Sequence, residues 1–241
     1  MKPMQLQALI FDVDGTLADT ERDGHRVAFN AAFAEEGLGW EWDVALYGEL
    51  LEVTGGKERI RFYCERYAPE FLHQTEVDAR IKDLHAAKTR HYVKRCAQGI
   101  PLRPGVEPLL HEAHHAGLRL AIATTTTPEN VTALLPADLL ALFEKVGAGD
   151  TVAHKKPAPD IYSWVLDQLK LPAAACLAIE DSENGLKASL AAGLATVITP
   201  TDYTRRGNYS GALAVLPDLE QISAPLLQHW HETAYVDDKK L

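Results

Sequence analysis

The stretch LIFDVDGTLADTE, residues 9–21, places two aspartates directly after a short apolar run. Such a run, ended by Asp and Gly, is typical of a buried strand followed by a turn. Asp12 and Asp14 lie two positions apart, so in an extended chain their side chains point to the same side. They are either turn residues or a nucleophile, Asp12, with its acid/base partner, Asp14. The rest of the chain distinguishes these alternatives.

Composition excludes several classes of function. The 241 residues are enough for one large domain or for a core with a smaller insert. A formal net charge of −10 disfavours nucleic acids and anionic membranes, which bind basic surfaces. Three widely spaced cysteines fit a reducing compartment. The first residues lack a signal-peptide pattern, and no apolar run approaches the roughly 20 residues of a membrane span. We expect a cytoplasmic monomer with no nucleic-acid or membrane partner.

The pattern of apolar residues changes along the chain. After a first strand at residues 8–11, helical spacing dominates to about residue 96, with helices expected within 25–37, 57–67 and 76–96. From residue 101, helical stretches alternate with strands expected at 118–124, 175–181 and 194–199. This alternation predicts an α/β fold with a parallel sheet in a Rossmann-like three-layer core. We expect a core domain of residues 1–18 and 97–241, and a small α-helical cap domain, residues 19–96, inserted after the first strand.

Two more polar motifs coincide with predicted strand ends, where ligands bind in parallel sheets. Thr124 ends a strand, and Thr125 and Thr126 precede a helix start, where hydroxyls and backbone amides can bind phosphate. The alternative is that a threonine only caps this helix. Glu180 and Asp181 end another strand, and their carboxylates suit Mg²⁺. The alternative there is a capping signal for the next helix.

Lys156 directly precedes a proline, which favours an extended conformation aimed away from the following helix. It can neutralise both Asp12 and a phosphoryl oxygen, or it is a solvated surface lysine. Each structural alternative is reasonable by itself. Four such motifs together, in this order and at predicted strand ends, favour a catalytic site over four separate structural roles.

These residues resemble the four motifs of the haloacid dehalogenase superfamily of phosphotransferases, and the resemblance covers nearly the whole chain. It implies that Asp12 is phosphorylated, that Asp14 is the acid/base, and that Thr124 and Lys156 bind the phosphoryl group. It also implies that Mg²⁺ is held by Asp12, Asp181 and the Asp14 carbonyl, with Glu180 as a ligand or an orienting residue. The helical insert resembles the small α-helical cap of the family.

The predicted cap carries the candidate specificity residues. Gly55 and Gly56 precede Lys57 and Arg59 at a predicted helix start, which suits a second anion that Lys88 could also contact. The alternative is that Lys57 and Arg59 are ordinary solvated helix residues. Glu21 and His25 follow the first motif and are either ligands of sugar hydroxyls or plain interfacial polar residues. Helical spacing makes Tyr47 a core residue.

The strings DVDGTLADTERDGHR, TGGKERI, ATTTTPEN and KKPAPDIY resemble the CbbY branch of the superfamily. This branch removes the C1 phosphate of xylulose 1,5-bisphosphate, an inhibitor of the Calvin-cycle enzyme Rubisco, and leaves xylulose 5-phosphate. The resemblance implies substrate contacts from Glu21, Tyr47, Gly55, Gly56 and Lys57. The alternatives are a β-phosphoglucomutase-like mutase, a phosphoglycolate-type phosphatase and, more remotely, a non-catalytic metal-binding regulator.

Overall fold

The structure, a computed structural model, describes residues 5–237. The chain forms two compact units. The α/β unit comprises the residues up to Asp19, Pro101–Thr125 and the residues from Leu135 onward, and the helical unit comprises Thr20–Ile100 and Thr126–Leu134.

The α/β unit is built on a parallel sheet with the strand order β3-β2-β1-β4-β5-β6. The strands are β1 (Ala8–Phe11), β2 (Arg119–Ala123), β3 (Phe143–Gly147), β4 (Cys176–Glu180), β5 (Ala195–Ile198) and β6 (Ala214–Val215). Phe11 pairs with Ile122 of β2 and with Ile179 of β4. This register brings the carboxyl ends of β1, β2 and β4 together at one edge of the sheet.

The helices are α1 (Arg26–Glu35), α2 (Val44–Leu50), α3 (Gly56–Tyr67), α4 (Pro69–Leu72), α5 (Val77–Cys96), α6 (Val106–His115), α7 (Pro128–Leu134), α8 (Ala137–Leu140), α9 (Asp160–Leu169), α10 (Glu183–Ala191) and α11 (Ala224–Asp237). A π-helical turn, Glu21–His25, precedes α1. Within the described residues, no helix is both long enough and apolar enough to cross a membrane.

The sheet is covered on both faces. Ile10, Ala121 and Ala178 share one face of the sheet and belong to an apolar core cluster with residues of α9 and α10. Residues that alternate with them, such as Leu9 and Ile122, are also fully buried, because the opposite face is covered too. The expected three-layer α/β core is therefore confirmed.

The four strands expected from sequence are present, and two more, β3 and β6, were missed. β3 lies at the edge of the sheet with β2 as its neighbour, so Glu144 is exposed and breaks the apolar run that marks the central strands. β6 has two residues and is too short to show a period.

The helical unit contains no strand among its described residues, as expected. Its centre is aromatic: the ring of Trp42 lies 4.7 Å from that of Phe29 and 5.3 Å from that of Tyr63. One boundary differs from the expected domains. Residues 126–134, expected in the core domain, group with the helical unit because α7 packs against α5.

Candidate active site

Asp12 is the first residue after β1, and it continues the pairing with β4 because its backbone N–H donates to the Ile179 carbonyl at 3.0 Å. The chain then turns at Gly15, which has a φ of 85°. A Cβ at this position would collide with the Asp181 carboxylate. Two features therefore require glycine at position 15: its positive φ and the close approach of the Asp181 carboxylate.

Lys156 lies in the loop before α9 and is 5% exposed, so the alternative of a solvated surface lysine is wrong. Its ammonium donates to Asp12 Oδ1 at 2.6 Å, to Glu180 Oε1 at 2.5 Å and to the Ala123 carbonyl at 2.8 Å. These acceptors lie at the ends of β1, β4 and β2. Burial opposes the charge, but the two carboxylates outweigh it and raise the pKa of Lys156 above its ordinary value. The lysine stays protonated.

Three buried carboxylates converge at this edge, those of Asp12, Glu180 and Asp181, with one oxygen of each within 4.8 Å of the others. Together with Lys156 they are called the core cluster below. Burial, reinforced by repulsion from Glu180 and Asp14, raises the pKa of Asp12 to about 8 despite the attraction of Lys156. One ammonium does not balance three carboxylates, and carboxylate oxygens are ligands that Mg²⁺ prefers. The cluster therefore fits a divalent cation.

The helix that follows β4 leaves Asp181 available to this cluster. The expected capping signal, from Asp181 or Ser182, is present at Ser182: its Oγ accepts the Gly185 amide hydrogen at 3.1 Å and it is the N-cap of α10, which leaves Asp181 outside this role. Asp181 Oδ2 instead accepts a hydrogen bond from Thr204 at 3.3 Å, and its carbonyl accepts one from the Tyr209 hydroxyl at 2.9 Å. These contacts hold the carboxylate at the edge of the sheet.

Glu180 is fully buried and has two kinds of contact. Its Oε1 accepts from Lys156 and, at 2.7 Å, from the hydroxyl of Tyr162 on α9. Its Oε2 lies 3.2 Å from the Asp181 backbone nitrogen, which donates to it. Sequence reasoning missed Tyr162, because in an amphipathic helix a tyrosine gives the same signal as any other core residue.

Arg103 was also missed, and it connects the turn after β1 to two later loops. Its guanidinium donates to the Gly15 carbonyl and to the carbonyls of Thr199 at 2.5 Å, Pro200 at 3.1 Å and Pro217 at 3.0 Å. Burial lowers the pKa of Arg103, which nevertheless keeps its charge at neutral pH. In the sequence it is a single arginine in a loop, with no pattern that indicates these partners.

The three consecutive threonines at positions 124–126 are divided between the two units. Thr124 is buried in the α/β unit, and its backbone N–H donates to the Gly147 carbonyl at 2.9 Å. Thr125 is half-buried in the same unit. Thr126 belongs to the helical unit, where its hydroxyl oxygen accepts a hydrogen bond from Asn130 at 2.8 Å. The hydroxyl of Thr127 accepts from the Asn130 backbone at 3.4 Å and so caps α7.

Glu21, Tyr47 and Arg59 form a second cluster, called the helical cluster below, within the helical unit. Arg59 donates to the Tyr47 hydroxyl at 2.8 Å, and this hydroxyl donates to Glu21 Oε2 at 2.5 Å. Tyr47 is fully buried, as its helical spacing predicts. Arg59 is 7% exposed, so the alternative of a solvated helix residue is wrong for it. Its charge lies 3.7 Å from the carboxylate of Glu21, a partner that the sequence did not indicate.

His25 and Lys88 also meet inside the helical unit. The ammonium of Lys88 lies 2.7 Å from His25 Nδ1, which accepts the hydrogen bond because an ammonium only donates. It also lies 5.0 Å from the ring centre of Phe29 and 5.2 Å from that of Tyr92. Both His25 and Lys88 are buried. Lys88 is therefore held inside the helical unit by a polar partner and two aromatic rings.

The remaining candidates, Gly55, Gly56 and Lys57, lie at the start of α3. Gly55 has a φ of 98°, and a Cβ at Gly56 would lie 2.5 Å from the ring of His85. Lys57 is half-buried and lines a cavity of about 480 Å³ within the helical unit. The structure thus collects the predicted site residues into groups within each unit.

Comparison with known proteins identifies the family. A family model of haloacid dehalogenase-like hydrolases matches residues 6–193. The plasmid CbbY protein of Cupriavidus necator is 55% identical over 229 residues, covering 93% of this chain and 90% of that protein. CbbY of Rhodobacter capsulatus is 52% identical over 221 residues, covering 90% of this chain and 95% of that protein.

One solved structure is that of a CbbY variant from Rhodobacter sphaeroides in complex with xylulose 1,5-bisphosphate. It has a TM-score of 0.81 and 44% sequence identity, and the match covers 90% of this chain and 96% of that chain. The carboxylates and lysine at the strand ends agree with these matches: the chain belongs to the haloacid dehalogenase-like hydrolase family, among the relatives of CbbY.

Proposed function

We propose that this protein is a Mg²⁺-dependent phosphatase that hydrolyses xylulose 1,5-bisphosphate to xylulose 5-phosphate. The observation that carries the proposal is the buried lysine held between the carboxylates of Asp12 and Glu180 at the ends of β1 and β4. This arrangement supplies a nucleophile and fixed positive charge at one point, which is what phosphoryl transfer requires. The sugar bisphosphate is proposed because the CbbY variant of Rhodobacter sphaeroides binds it.

In the first step, an oxygen of the Asp12 carboxylate attacks the C1 phosphorus and the bond from phosphorus to the sugar oxygen breaks. Asp14 gives a proton to that leaving oxygen, so the sugar departs as an alcohol and Asp12 becomes an aspartyl phosphate. In the second step, Asp14 takes a proton from water as the water oxygen attacks phosphorus. Phosphate leaves, and the Asp12 carboxylate is restored.

The charge on the transferring group is offset by this chain's own donors. Lys156 stabilises the phosphoryl oxygens with an ammonium that is already oriented by its three acceptors. Thr124 and Thr125 add hydroxyl and backbone donors. Asp12, Asp181 and the Asp14 carbonyl would hold Mg²⁺, with Glu180 either as a further oxygen ligand or as a residue that orients the others. When bound, Mg²⁺ supplies positive charge that stabilises the negative phosphoryl oxygens.

The α/β unit is the catalytic core in this proposal, and the helical unit is the cap that recognises the rest of the substrate. Lys57 and the backbone of Gly55 and Gly56 bind the second phosphate, because a glycine turn at a helix start presents free N–H groups.

The other cap residues divide between binding and support. Glu21 and Tyr47 contact sugar hydroxyls, and Arg59 holds these two side chains in place through the hydrogen bonds of the helical cluster. His25 and Lys88 form a buried polar pair in the same unit, and we include them among the residues that recognise the sugar. The protein acts as a cytoplasmic monomer, and its substrate connects it to the Calvin cycle.

The test is phosphate release from xylulose 1,5-bisphosphate, ribulose 1,5-bisphosphate, β-glucose 1-phosphate and phosphoglycolate, with Mg²⁺ and with Asp12→Asn as control. We expect kcat/KM for xylulose 1,5-bisphosphate to exceed the others by about 100-fold, roughly 2.7 kcal/mol of discrimination. Conversion of β-glucose 1-phosphate to glucose 6-phosphate with little free phosphate would instead show a mutase. Phosphoglycolate as the best substrate would show a phosphoglycolate-type phosphatase.

A further inference from the structure

Tyr162 lies in the apolar layer between α9 and the sheet, yet its hydroxyl takes part in the core cluster. The residue is fully buried and packs among apolar side chains that include Ile161, Val165 and Ala178. A phenylalanine would fill this space with the same packing. Packing alone therefore does not explain the hydroxyl of Tyr162, which donates a hydrogen bond to Glu180 Oε1 at 2.7 Å.

The same carboxylate oxygen also receives the ammonium of Lys156, at 2.5 Å. Tyr162 is thus linked to Lys156 in two ways. Both donate to the same oxygen of Glu180, and the centre of the Tyr162 ring lies 5.1 Å from Lys156 Nζ. On the other side, Gly185 leaves the space that the Glu180 carboxylate occupies, because a Cβ there would collide with it. Glu180 is consequently fixed by a donor on α9 and by a missing side chain on α10.

We propose that Tyr162 is a positioning residue for phosphoryl transfer: its hydroxyl orients the Glu180 carboxylate, which in turn holds Lys156 against Asp12. The inference rests on the proposed phosphatase activity but not on the identity of the sugar. Without the hydroxyl, Glu180 Oε1 keeps Lys156 as a donor and loses the second donor that sets the direction of the carboxylate. The lysine then moves with Glu180 and leaves its position beside Asp12 for part of the time.

The test compares Tyr162→Phe with the wild-type protein, using p-nitrophenyl phosphate as substrate and inorganic phosphate as ligand in the presence of Mg²⁺. We expect kcat to fall about tenfold with KM within about twofold, since a hydrogen bond to a charged group is lost while the ring remains. We expect the Kd of inorganic phosphate, measured by calorimetry, to rise about fivefold. Neither probe contains a sugar, so both measurements test Tyr162 even if the proposed sugar substrate is wrong.

Thr196→Val is the matched control. It removes a buried hydroxyl of the same unit that lies 2.7 Å from the hydroxyl of Ser189, away from the core cluster. We expect it to lower Tm by as much as Tyr162→Phe does while leaving kcat and phosphate binding unchanged. If the two variants lower kcat equally, the role of Tyr162 is merely structural and the inference is overturned.

A double-mutant cycle isolates the route through Glu180. In a Glu180→Gln background, adding Tyr162→Phe should change the phosphate Kd by less than about twofold, because the carboxylate that Tyr162 orients is gone. If Tyr162→Phe weakens phosphate binding as much in the Glu180→Gln background as in the wild-type protein, the hydroxyl does not act through Glu180 and the inference is overturned. Wild-type values of kcat and phosphate Kd in the single variant Tyr162→Phe would also overturn the inference. Absence of p-nitrophenyl phosphate hydrolysis by the wild type would count against the phosphatase assignment, and phosphate binding would still decide on Tyr162.

Discussion

The core cluster together with Tyr162, and the helical cluster, each combine a cationic side chain, a tyrosine and a carboxylate, but in different arrangements. In the α/β unit, Lys156 and Tyr162 both donate to one oxygen of Glu180, and Lys156 also donates to Asp12. In the helical unit, the groups follow one another: Arg59 donates to Tyr47, and Tyr47 donates to Glu21.

The difference concerns which group is held in place. Convergence on Glu180 fixes a cation between two carboxylates, where a phosphoryl group can use its charge. The sequential arrangement fixes a carboxylate, that of Glu21, at the end of a series of donors. In the proposed function, the fixed cation serves the chemical step, and the fixed carboxylate serves recognition of sugar hydroxyl groups.

The largest effect is expected for Asp12→Asn. The amide keeps an oxygen that can accept from Lys156, so the fold is retained, but it removes the nucleophilic carboxylate. Turnover of every phosphate ester should be abolished, and circular dichroism should match the wild type. Residual hydrolysis above background with a purified variant would show that Asp12 is not the nucleophile.

Lys156→Met should lower kcat by about 100- to 1,000-fold, the usual cost of losing one fixed donor to a transition-state oxyanion. It should also lower Tm, because Asp12 and Glu180 lose the cation that they share in a buried site. The matched control is Lys155→Met, at the neighbouring position, where the ammonium contacts Asp150 at 2.8 Å instead. Equal kcat values for the two variants would contradict the role given to Lys156.

Tyr47→Phe should raise KM for the sugar bisphosphate about tenfold, since Glu21 loses the hydroxyl that donates to it. Hydrolysis of p-nitrophenyl phosphate, which has no sugar, should change by less than about twofold. Tyr63→Phe, in the same aromatic centre, is the control and should affect neither substrate. An equal loss on both substrates would show that the helical cluster supports the chemistry as well as recognition.

The smallest effect is a change of stability with pH in the metal-free protein. The pKa of Asp12 is raised from 3.8 to about 8 in the folded state, so between these values the folded protein binds a proton that the unfolded chain has lost. Stability should therefore fall as pH rises through this window. We expect Tm in EDTA to decrease from pH 5 to pH 8, and Mg²⁺ to raise Tm more at pH 8 than at pH 5. If Mg²⁺ raises Tm by the same amount at pH 5 and at pH 8, Asp12 is not part of a cation site.

Much of the fold could be predicted because buried central strands carry continuous apolar runs. β1, β2, β4 and β5 were found for this reason, and so were the polar residues at their carboxyl ends. β3 and β6 were missed because an edge strand with exposed charges and a strand of two residues show no such run. The grouping of α7 with the helical unit was missed because it depends on packing against α5, which is distant in sequence.

The candidate site shows the same division between local pattern and tertiary contact. The sequence by itself determined the residue types of the site, which are Asp12, Asp14, Glu180 and Asp181 after strands and Lys156 in the loop before α9, and with them the family. Local spacing reports whether a side chain is buried, and it contains no information on which polar groups meet. Only the tertiary structure decided that Tyr162 reaches Glu180, that Arg103 holds the turn at Gly15, and that Arg59 is turned to Tyr47. The partners in these pairs come from different elements of the fold, so the packing of those elements sets these contacts.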